Sequence, residues 1–242
     1  MNNILVLQIE DRDDSLLNKL MNENKKICLE NDIKYNYLKK STHNIPPYWA
    51  KVFEIYKIMK KNSDITHIIW LDSDAFFYNF DKQKLNNMII EHSEYSMIIS
   101  KDMPPWENKE FNAGSFIVKN NTMGQTIISN WMKLYNPDKW IFFANKWLAD
   151  SDWAAEDYEQ GAFIKYILTD ENYIPHIKQL PFYILNNNNC CDSNPSILVV
   201  HLAGYHKHTK INVNNCLESF NKNKSISLII ITIIILCLLR FC

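Results

Sequence analysis

The stretch His67–Tyr78, with the sequence HIIWLDSDAFFY, decides the fold because it joins a buried strand to a pair of acidic residues. The apolar run Ile68–Leu71 is typical of a strand that is covered on both faces. Asp72 and Asp74 follow at its C-terminal end, where ligands bind in open α/β sheets. Residues two apart on an extended chain point the same way, so both carboxylates can reach one cation. Carboxylate oxygens suit Mg²⁺ or Mn²⁺, and a solvated acidic turn is the alternative interpretation.

Composition indicates one ordinary globular domain and excludes one class of partner. A chain of 242 residues can bury a sizeable core. The formal net charge of −1 gives no electrostatic basis for binding nucleic acid. The 6 cysteines contain no Cys-x-x-Cys pair, so a zinc site of that type is not expected. Reduced thiols are the simpler expectation for Cys190, Cys191 and Cys216, with pairing in an oxidising lumen as the alternative.

The two ends of the chain differ in character. Residues 1–4 include no basic region and begin no long apolar core, so a secretory signal is not expected. Residues 225–241 are mostly apolar, and their 17 positions reach the lower limit for a bilayer span. Two lysines precede this run, which predicts a membrane-anchoring tail over residues 222–242 and a cytosolic body over residues 1–221. A β-branched core element is the alternative.

Strand and helix patterns alternate before the acidic pair. This order predicts an α/β fold whose mixed, mainly parallel central sheet is flanked by helices. The helix before the acidic strand has apolar residues at positions i, i+3, i+4 and i+7. Lys51 lies in its first turn and either reaches the acidic cluster or is a solvated helix lysine. The predicted elements are a strand over residues 4–8, a helix over 16–29, a strand over 33–38 and a helix over 48–61.

Two later segments carry residue types that are common in binding sites. Asn112, Gly114 and Ser115 directly precede a predicted strand, and glycine lets the backbone approach another group closely. A plain turn is the alternative there. Glu159 and Gln160 begin a predicted helix, where an acidic residue is also favoured by the helix dipole.

The motif His201-Leu-Ala-Gly204-Tyr-His-Lys207 directly follows another apolar run, residues 197–200. A single histidine after a strand is usually a satisfied surface or core residue. Here glycine and lysine follow at a fixed spacing. The string WLDSDAFF resembles the galactosyl-, mannosyl- and xylosyltransferase family of the GT-A nucleotide-sugar glycosyltransferases. The histidine motif resembles that of retaining, glycogenin-like enzymes of the same fold, and the resemblance covers roughly residues 48–207.

The resemblance implies a metal ion and a donor site. It implies that Asp72, Asp74 and His201 hold Mn²⁺ or Mg²⁺ against the diphosphate of a UDP- or GDP-sugar. Neutral imidazole suits Mn²⁺, and a lysine beside two phosphates neutralises the leaving group. Lys51 is a further candidate for a cation on the donor phosphates. The donor-binding residues implied by the matching motifs are Asn112, Gly114, Ser115, Gly204 and Lys207.

The resemblance also implies a reaction. Glu159 and Gln160 are expected to face the reacting sugar. Asp157 is the alternative carboxylate because Tyr158 interrupts the family's adjacent pair of acids. The implied reaction moves a hexose or pentose to a hydroxyl of a glycan or protein acceptor, with retention and hence an α-linkage. A nucleotidyltransferase or phosphohydrolase with the same metal chemistry, or an inactive sugar-nucleotide-binding module, is the alternative.

Two further segments are predicted from their composition. The aromatic-rich residues 139–153 could stack on acceptor sugars or belong to the core. The asparagine tract Asn186–Asn189 is predicted to be a solvated loop without chemistry.

Overall fold

The computed structural model describes residues 2–39, 44–102, 110–190 and 192–203. Strands and helices alternate within these ranges, as the sequence predicts. The strands are β1 (Ile4–Ile9), β2 (Lys34–Leu38), β3 (His67–Leu71), β4 (Ala75–Phe77), β5 (Met97–Ser100), β6 (Ser115–Lys119), β7 (Trp140–Phe143), β8 (Lys146–Ala149), β9 (Ile177–Leu180) and β10 (Val199–His201). The helices are α1 (Ser15–Glu30), α2 (Pro47–Lys61), α3 (Lys82–Glu91), α4 (Thr122–Lys133), α5 (Glu159–Ala162) and α6 (Phe182–Leu185).

Six strands form the central sheet in the order β2-β1-β3-β6-β5-β9. β1 runs parallel to β2 and β3, and β9 runs parallel to β5. β6 runs antiparallel to both of its neighbours. The predicted mixed, mainly parallel sheet is therefore confirmed. Because β1 and β3 are parallel neighbours, the residues that follow them lie side by side at one edge of the sheet.

Helices cover both faces of this sheet. On one face α2 and α4 contribute Trp49 and Trp131, which are fully buried against alternate residues of β1 and β3. On the other face α1 and α3 contribute Ile27 and Leu85, which pack against the remaining residues of the same strands. β3 is buried along its whole length, as its unbroken apolar run predicts. The predicted helix over residues 48–61 is α2, which begins one residue earlier with Pro47.

A small two-stranded sheet brings the acidic segment and the histidine motif together. β10 pairs antiparallel with β4, and His201 lies opposite Ala75 in the register. The Leu202 amide also donates to the Asp74 carbonyl at 3.1 Å. The apolar run over residues 197–200 is buried, but the strand itself covers Val199–His201 and belongs to this small sheet. Two segments that are far apart in sequence therefore meet at the end of β3.

Within the described ranges, no helix is long and apolar enough to cross a membrane. The predicted tail, residues 222–242, lies outside those ranges, and so do Gly204 and Lys207 of the histidine motif.

One cysteine differs from the expectation. Cys28 is a buried free thiol. Cys190 takes part in a disulfide, so the expectation of a reduced thiol is wrong at this position. Pairing depends on distances across loops, which residue spacing does not provide.

Asn24 of α1 is a buried polar link between this helix and the small sheet. Its amide nitrogen donates to Gln8 Oε1 at 2.9 Å and to the Ala75 carbonyl at 3.0 Å, and its oxygen accepts from the Phe77 amide at 2.9 Å. We expect Asn24→Ala to lower the free energy of unfolding by about 1–3 kcal/mol, because buried groups lose their partners. Urea denaturation measures this loss. The exposed Asn22 of the same helix is the control, and an equal loss in Asn22→Ala would contradict the assignment.

Candidate active site

The three predicted metal ligands lie together at the end of β3. Asp72 and Asp74 follow this strand, and His201 ends β10. One ligand atom from each of the three side chains lies within 4.8 Å of the others. The His201 Nε2 atom is 3.3 Å from Asp74 Oδ1 and 3.9 Å from Asp72 Oδ2. Two carboxylates and one imidazole nitrogen form a donor set that fits a divalent cation such as Mn²⁺.

The orientation of His201 is set by Asn186. Its Nδ1 atom lies 3.1 Å from Asn186 Oδ1, which can only accept, so this nitrogen donates and Nε2 faces the aspartates. The Asn186 amide nitrogen in turn donates to Ser100 Oγ at 2.7 Å. The prediction of a solvated asparagine loop is wrong for Asn186 and Asn187, which are both buried. The reason is tertiary, since Asn187 forms a bridge with β10.

The charges of the cluster are tightly linked. Burial opposes protonation of His201, but the carboxylates of Asp74 and Asp72 outweigh it and raise the pKa of the imidazole. Burial likewise opposes ionisation of Asp74, but the charge and hydrogen bond of His201 outweigh it and lower the pKa of that carboxyl. A metal ion would take the place of the proton on Nε2, because only a neutral imidazole can be a ligand.

Gly114 makes room for the histidine ring. A Cβ atom at this position would lie 1.9 Å from the His201 Cε1 atom. The Gly114 carbonyl also accepts a hydrogen bond from the Asp72 amide at 2.7 Å. The glycine that was predicted to allow a close approach therefore allows the approach of His201. Whether it also touches a donor stays a prediction.

Lys51 is buried and joins two acidic residues. Its Nζ atom lies 2.8 Å from Asp72 Oδ1, 3.1 Å from Glu159 Oε1 and 3.0 Å from the Ala113 carbonyl oxygen. It also lies 5.3 Å from the ring centre of Trp70, in cation–π geometry. Burial opposes its charge, but Asp72 and Glu159 outweigh it and raise the pKa of Lys51. The interpretation as a solvated lysine is wrong, and the ammonium group reaches the acidic cluster.

The structure separates the two candidate reacting carboxylates. Glu159 is buried beside Lys51, and burial followed by the charge of Asp72 raises the pKa of Glu159. Asp157 is half-buried, and its carbonyl accepts from the Trp49 indole at 2.8 Å. Asp150 is the main cause that raises the pKa of the exposed Lys139, and the charge of Asp157 adds to it. Of the two acids, Glu159 is the one in the cluster with the metal candidates.

Gln160 and Asn112 are held by an acid that the sequence analysis did not single out. Asp102 is buried after β5 and accepts from the Asn112 amide at 2.7 Å and from the Gln160 amide at 3.4 Å. Gln160 Oε1 accepts from the Ala113 backbone at 2.9 Å. Ser115 is fully buried, and within the described ranges its hydroxyl has no hydrogen-bond partner. The sequence feature that could have indicated Asp102 as a site residue is its position just after a strand of the sheet.

A second omission concerns the end of β1. The hydroxyl of Ser73, which stands between the two aspartates, donates to Glu10 Oε2 at 2.5 Å. Arg12 holds the same carboxylate through Nε at 2.8 Å and through its backbone amide at 2.7 Å. These bonds anchor the turn that carries Asp72 and Asp74 to the neighbouring strand. The acidic residues after the first predicted strand were visible in the sequence, but nothing there linked Glu10 to Ser73.

Comparison with known proteins identifies similar sequences. Residues 2–110 match the model of the galactosyl transferase GMA12/MNN10 family. An uncharacterized alpha-1,2-galactosyltransferase of Schizosaccharomyces pombe is 27% identical over 131 residues, which covers 43% of this chain and 35% of the relative. An alpha-1,2-galactosyltransferase of the same organism is 25% identical over 223 residues, which covers 77% of this chain and 52% of the relative. The chain thus spans about half, or less, of the length of these curated relatives.

Solved structures share the fold. A glycosyltransferase involved in the glycosylation of the major capsid of PBCV-1 has a TM-score of 0.63 at 17% identity, covering 85% of this chain and 96% of that chain. The galactosyltransferase LgtC, solved with donor and acceptor sugar analogs, has a TM-score of 0.53 at 10% identity, covering 90% and 95%. These likenesses confirm the predicted GT-A fold. Together with the family match, they confirm the predicted resemblance to GT-A glycosyltransferases.

The contact between Gly114 and His201 can be tested by a double substitution. Gly114→Ala should raise the Kd for Mn²⁺ roughly 10- to 100-fold, because the imidazole must move away from the added methyl group. Isothermal titration calorimetry measures this change. Gly114→Ala should also destabilise the protein much less when His201→Ala has removed the ring. An equal loss of stability in both backgrounds would show that the clash lies elsewhere.

Lys51→Met leaves the buried Glu159 and the half-buried Asp72 without their counter-ion. We expect the free energy of unfolding to fall by about 3–5 kcal/mol at neutral pH. The loss should shrink toward acidic pH. Without Lys51 the pKa of Glu159 in the folded variant rises further above 4.5, its value in the unfolded chain. The folded variant therefore takes up a proton at a higher pH than the unfolded chain does, and this proton uptake stabilises it as the pH falls. Urea denaturation across pH measures this. Lys61→Met, at an exposed position of the same helix, is the control, and a loss independent of pH would contradict the prediction.

Proposed function

Starting from the GT-A fold of the chain, we propose that it is a metal-dependent glycosyltransferase. It moves a hexose or pentose from a nucleoside-diphosphate sugar to a hydroxyl of a glycan or protein acceptor, with retention and hence an α-linkage. The observation that carries the proposal is the convergence of Asp72, Asp74 and His201 at the end of β3. The printed names of the two curated relatives favour galactose as the first sugar to test.

Asp72, Asp74 and His201 are proposed to hold Mn²⁺, or Mg²⁺ in its place. The fit rests on the donor set, since an imidazole whose Nε2 atom is turned toward the aspartates by Asn186 suits Mn²⁺ better than Mg²⁺. A bound ion supplies Lewis-acid stabilisation of the negative charge that develops on the departing diphosphate. The chain's own residues keep the site in place, because Ser73 and Gly114 fix the two sides of the turn that carries the aspartates.

Glu159 is the proposed carboxylate for the reacting sugar. It is buried, and Lys51 holds it in a single position beside Asp72. A carboxylate fixed in a buried site stabilises the positive charge that develops on the sugar as the leaving group departs. Gln160 and the neighbouring Asp102 present hydrogen-bonding groups that would orient the sugar hydroxyls. Lys51 is thus a positioning residue between the metal side and the sugar side.

The remaining parts of the proposal rest on the sequence. Gly204 and Lys207 continue the histidine motif, and Lys207 is proposed to meet the diphosphate. Asn112, Gly114 and Ser115 are proposed to lie beside the donor. Residues 1–221 are proposed as the catalytic domain and residues 222–242 as a membrane-anchoring tail.

Asp74→Ala tests the proposed function. In wild type, Mn²⁺ together with the matching nucleotide sugar should raise Tm and give transfer to added glycoside acceptors. Asp74→Ala should abolish the metal-dependent rise in Tm and lower kcat/KM at least about 100-fold, because transition-state charge loses its main stabilisation. Thermal shift and product analysis across a panel of UDP- and GDP-sugars measure both effects.

Asp138→Ala, at an exposed position far along the chain, is the matched carboxylate control. It should keep both the Tm rise and the activity. Full activity in Asp74→Ala would reject the proposal. Nucleotide hydrolysis that neither needs nor releases a sugar would instead identify a phosphohydrolase.

A further inference from the structure

Four aromatic side chains form a cluster next to Glu159, here called the rim cluster. Tyr48 lies at its centre, with ring centroids 5.8 Å from Trp140, 5.1 Å from Trp153 and 5.2 Å from Tyr158. Trp153 and Tyr158 are themselves 4.9 Å apart. The proposed function uses none of these rings. Their burial differs, because Trp140 as a residue is 6% exposed whereas Trp153 is 66% exposed.

Trp153 is exposed but firmly held. Two tyrosine rings contact its indole, and the next residue, Ala154, has a φ of 58°, a left-handed conformation that few residues other than glycine adopt. The Ala155 amide closes a turn onto the Asp152 carbonyl at 3.1 Å. Ala155 also packs so closely on α5 that a Cβ at Gly161 would lie 2.0 Å from its carbonyl oxygen. A side chain that is already ordered loses little entropy when a ligand covers it.

The rim cluster leads directly to the reaction site. Tyr48 lies one turn before Lys51 on α2, and Tyr158 immediately precedes Glu159. Burial is the main cause that raises the pKa of Tyr48, and the charge of Glu159 adds to it. The ring of Trp153 contacts the rings of both Tyr48 and Tyr158. The exposed Trp153 is therefore in ring contact with the residue that directly precedes Glu159, whose carboxylate is proposed to face the reacting sugar.

We propose that Trp153 is the platform of an acceptor subsite and stacks on a pyranose ring of a carbohydrate acceptor. One face of a pyranose carries C–H groups that pack on an aromatic ring, while its hydroxyls point outward to polar partners. Asp152 and Asp157, on either side of Trp153 in the loop, provide carboxylates that can accept from such hydroxyls. The choice of a carbohydrate as the ligand rests on the proposed glycosyl transfer.

A second exposed apolar surface serves as the comparison. Ile141, Phe143 and Leu148 are exposed on the β7–β8 hairpin. Ile141 and Phe143 alternate with the buried Trp140 along β7, so they lie on the outer face, away from the rim cluster. Phe143 is 68% exposed, as much as Trp153. The two surfaces can therefore be distinguished by matched single substitutions.

The test is direct binding of glycosides to the full chain. Saturation-transfer NMR with methyl α-glycosides of galactose, mannose, glucose and xylose, and with α-linked disaccharides of these sugars, gives Kd for the tightest binder. Trp153→Ala should weaken it about tenfold, and Trp153→Phe should restore most of the loss because it keeps an aromatic face. Phe143→Ala should leave the Kd unchanged. The acceptor KM of Trp153→Ala should rise in parallel, with the Mn²⁺-dependent Tm rise retained.

Four results would overturn the platform. They are unchanged glycoside binding in Trp153→Ala, an equal loss in Phe143→Ala, no binding of any glycoside to wild type, and loss of the Mn²⁺-dependent Tm rise in Trp153→Ala, which would show a structural role. The two proposals fail separately. Absence of transfer from every donor, alongside glycoside binding that depends on Trp153, would reject the proposed function and keep the subsite. Transfer with an unchanged acceptor KM in Trp153→Ala would reject the subsite alone.

Discussion

One buried ammonium group, that of Lys51, connects segments that are remote in sequence. It contacts Asp72 after β3, Glu159 at the start of α5 and the Ala113 carbonyl before β6. Without it, the buried carboxylate of Glu159 and the half-buried carboxylate of Asp72 would repel each other. Without the carboxylates, the ammonium itself could not remain charged there. Because each charge depends on the others, the metal side and the sugar side of the proposed site hold a fixed distance.

Further contacts hold the turn that carries Asp72 and Asp74, and the imidazole of His201, in place. Ser73 anchors the aspartate turn to β1 through Glu10, and Asn186 fixes the nitrogen that His201 turns toward the aspartates. Gly114 contributes by having no side chain, since a methyl group there would occupy the position of the imidazole. These contacts require polar groups to be buried, and burial of a polar group is tolerated only when the group is hydrogen-bonded. Such a fixed arrangement is what stabilisation of developing charge requires, because donors that must first reorganise stabilise it less.

Local patterns predicted the parts of the fold that depend on local physics. An unbroken apolar run is sufficient to place β3. Asp72 and Asp74 come together as predicted, but they do so in the tight turn after β3 and not along an extended strand. His201 needed the resemblance, because its partner strand β4 lies more than 120 residues earlier in the sequence. Pairings over such a separation leave no periodic signal in either segment.

The errors have the same origin. The asparagine tract has the composition of a solvated loop, but Asn187 is buried and forms a bridge with β10. For Lys51 the sequence left two interpretations open, since a lysine in the first turn of a helix can face solvent or core. Asp102 and Glu10 are acids after strands, a common pattern, and only the three-dimensional structure reveals which of them is paired and with what. Burial, rather than residue type, distinguishes Lys51, Glu159 and His201 from their surroundings.

The charges of the site lead to the same ion as the geometry. Within the described ranges, the site has the carboxylates of Asp72, Asp74 and Glu159 but one ammonium group, that of Lys51. The ion pair of Glu10 and Arg12 at the end of β1 adds no net charge. In the free protein a proton on His201 offsets part of this excess, which is why the neighbouring aspartates raise the pKa of the imidazole. A divalent ion offsets more of the charge, but it needs the same Nε2 atom. Proton and metal therefore compete for one atom, so that binding of the ion releases the proton and at the same time removes the repulsion between Asp72 and Asp74.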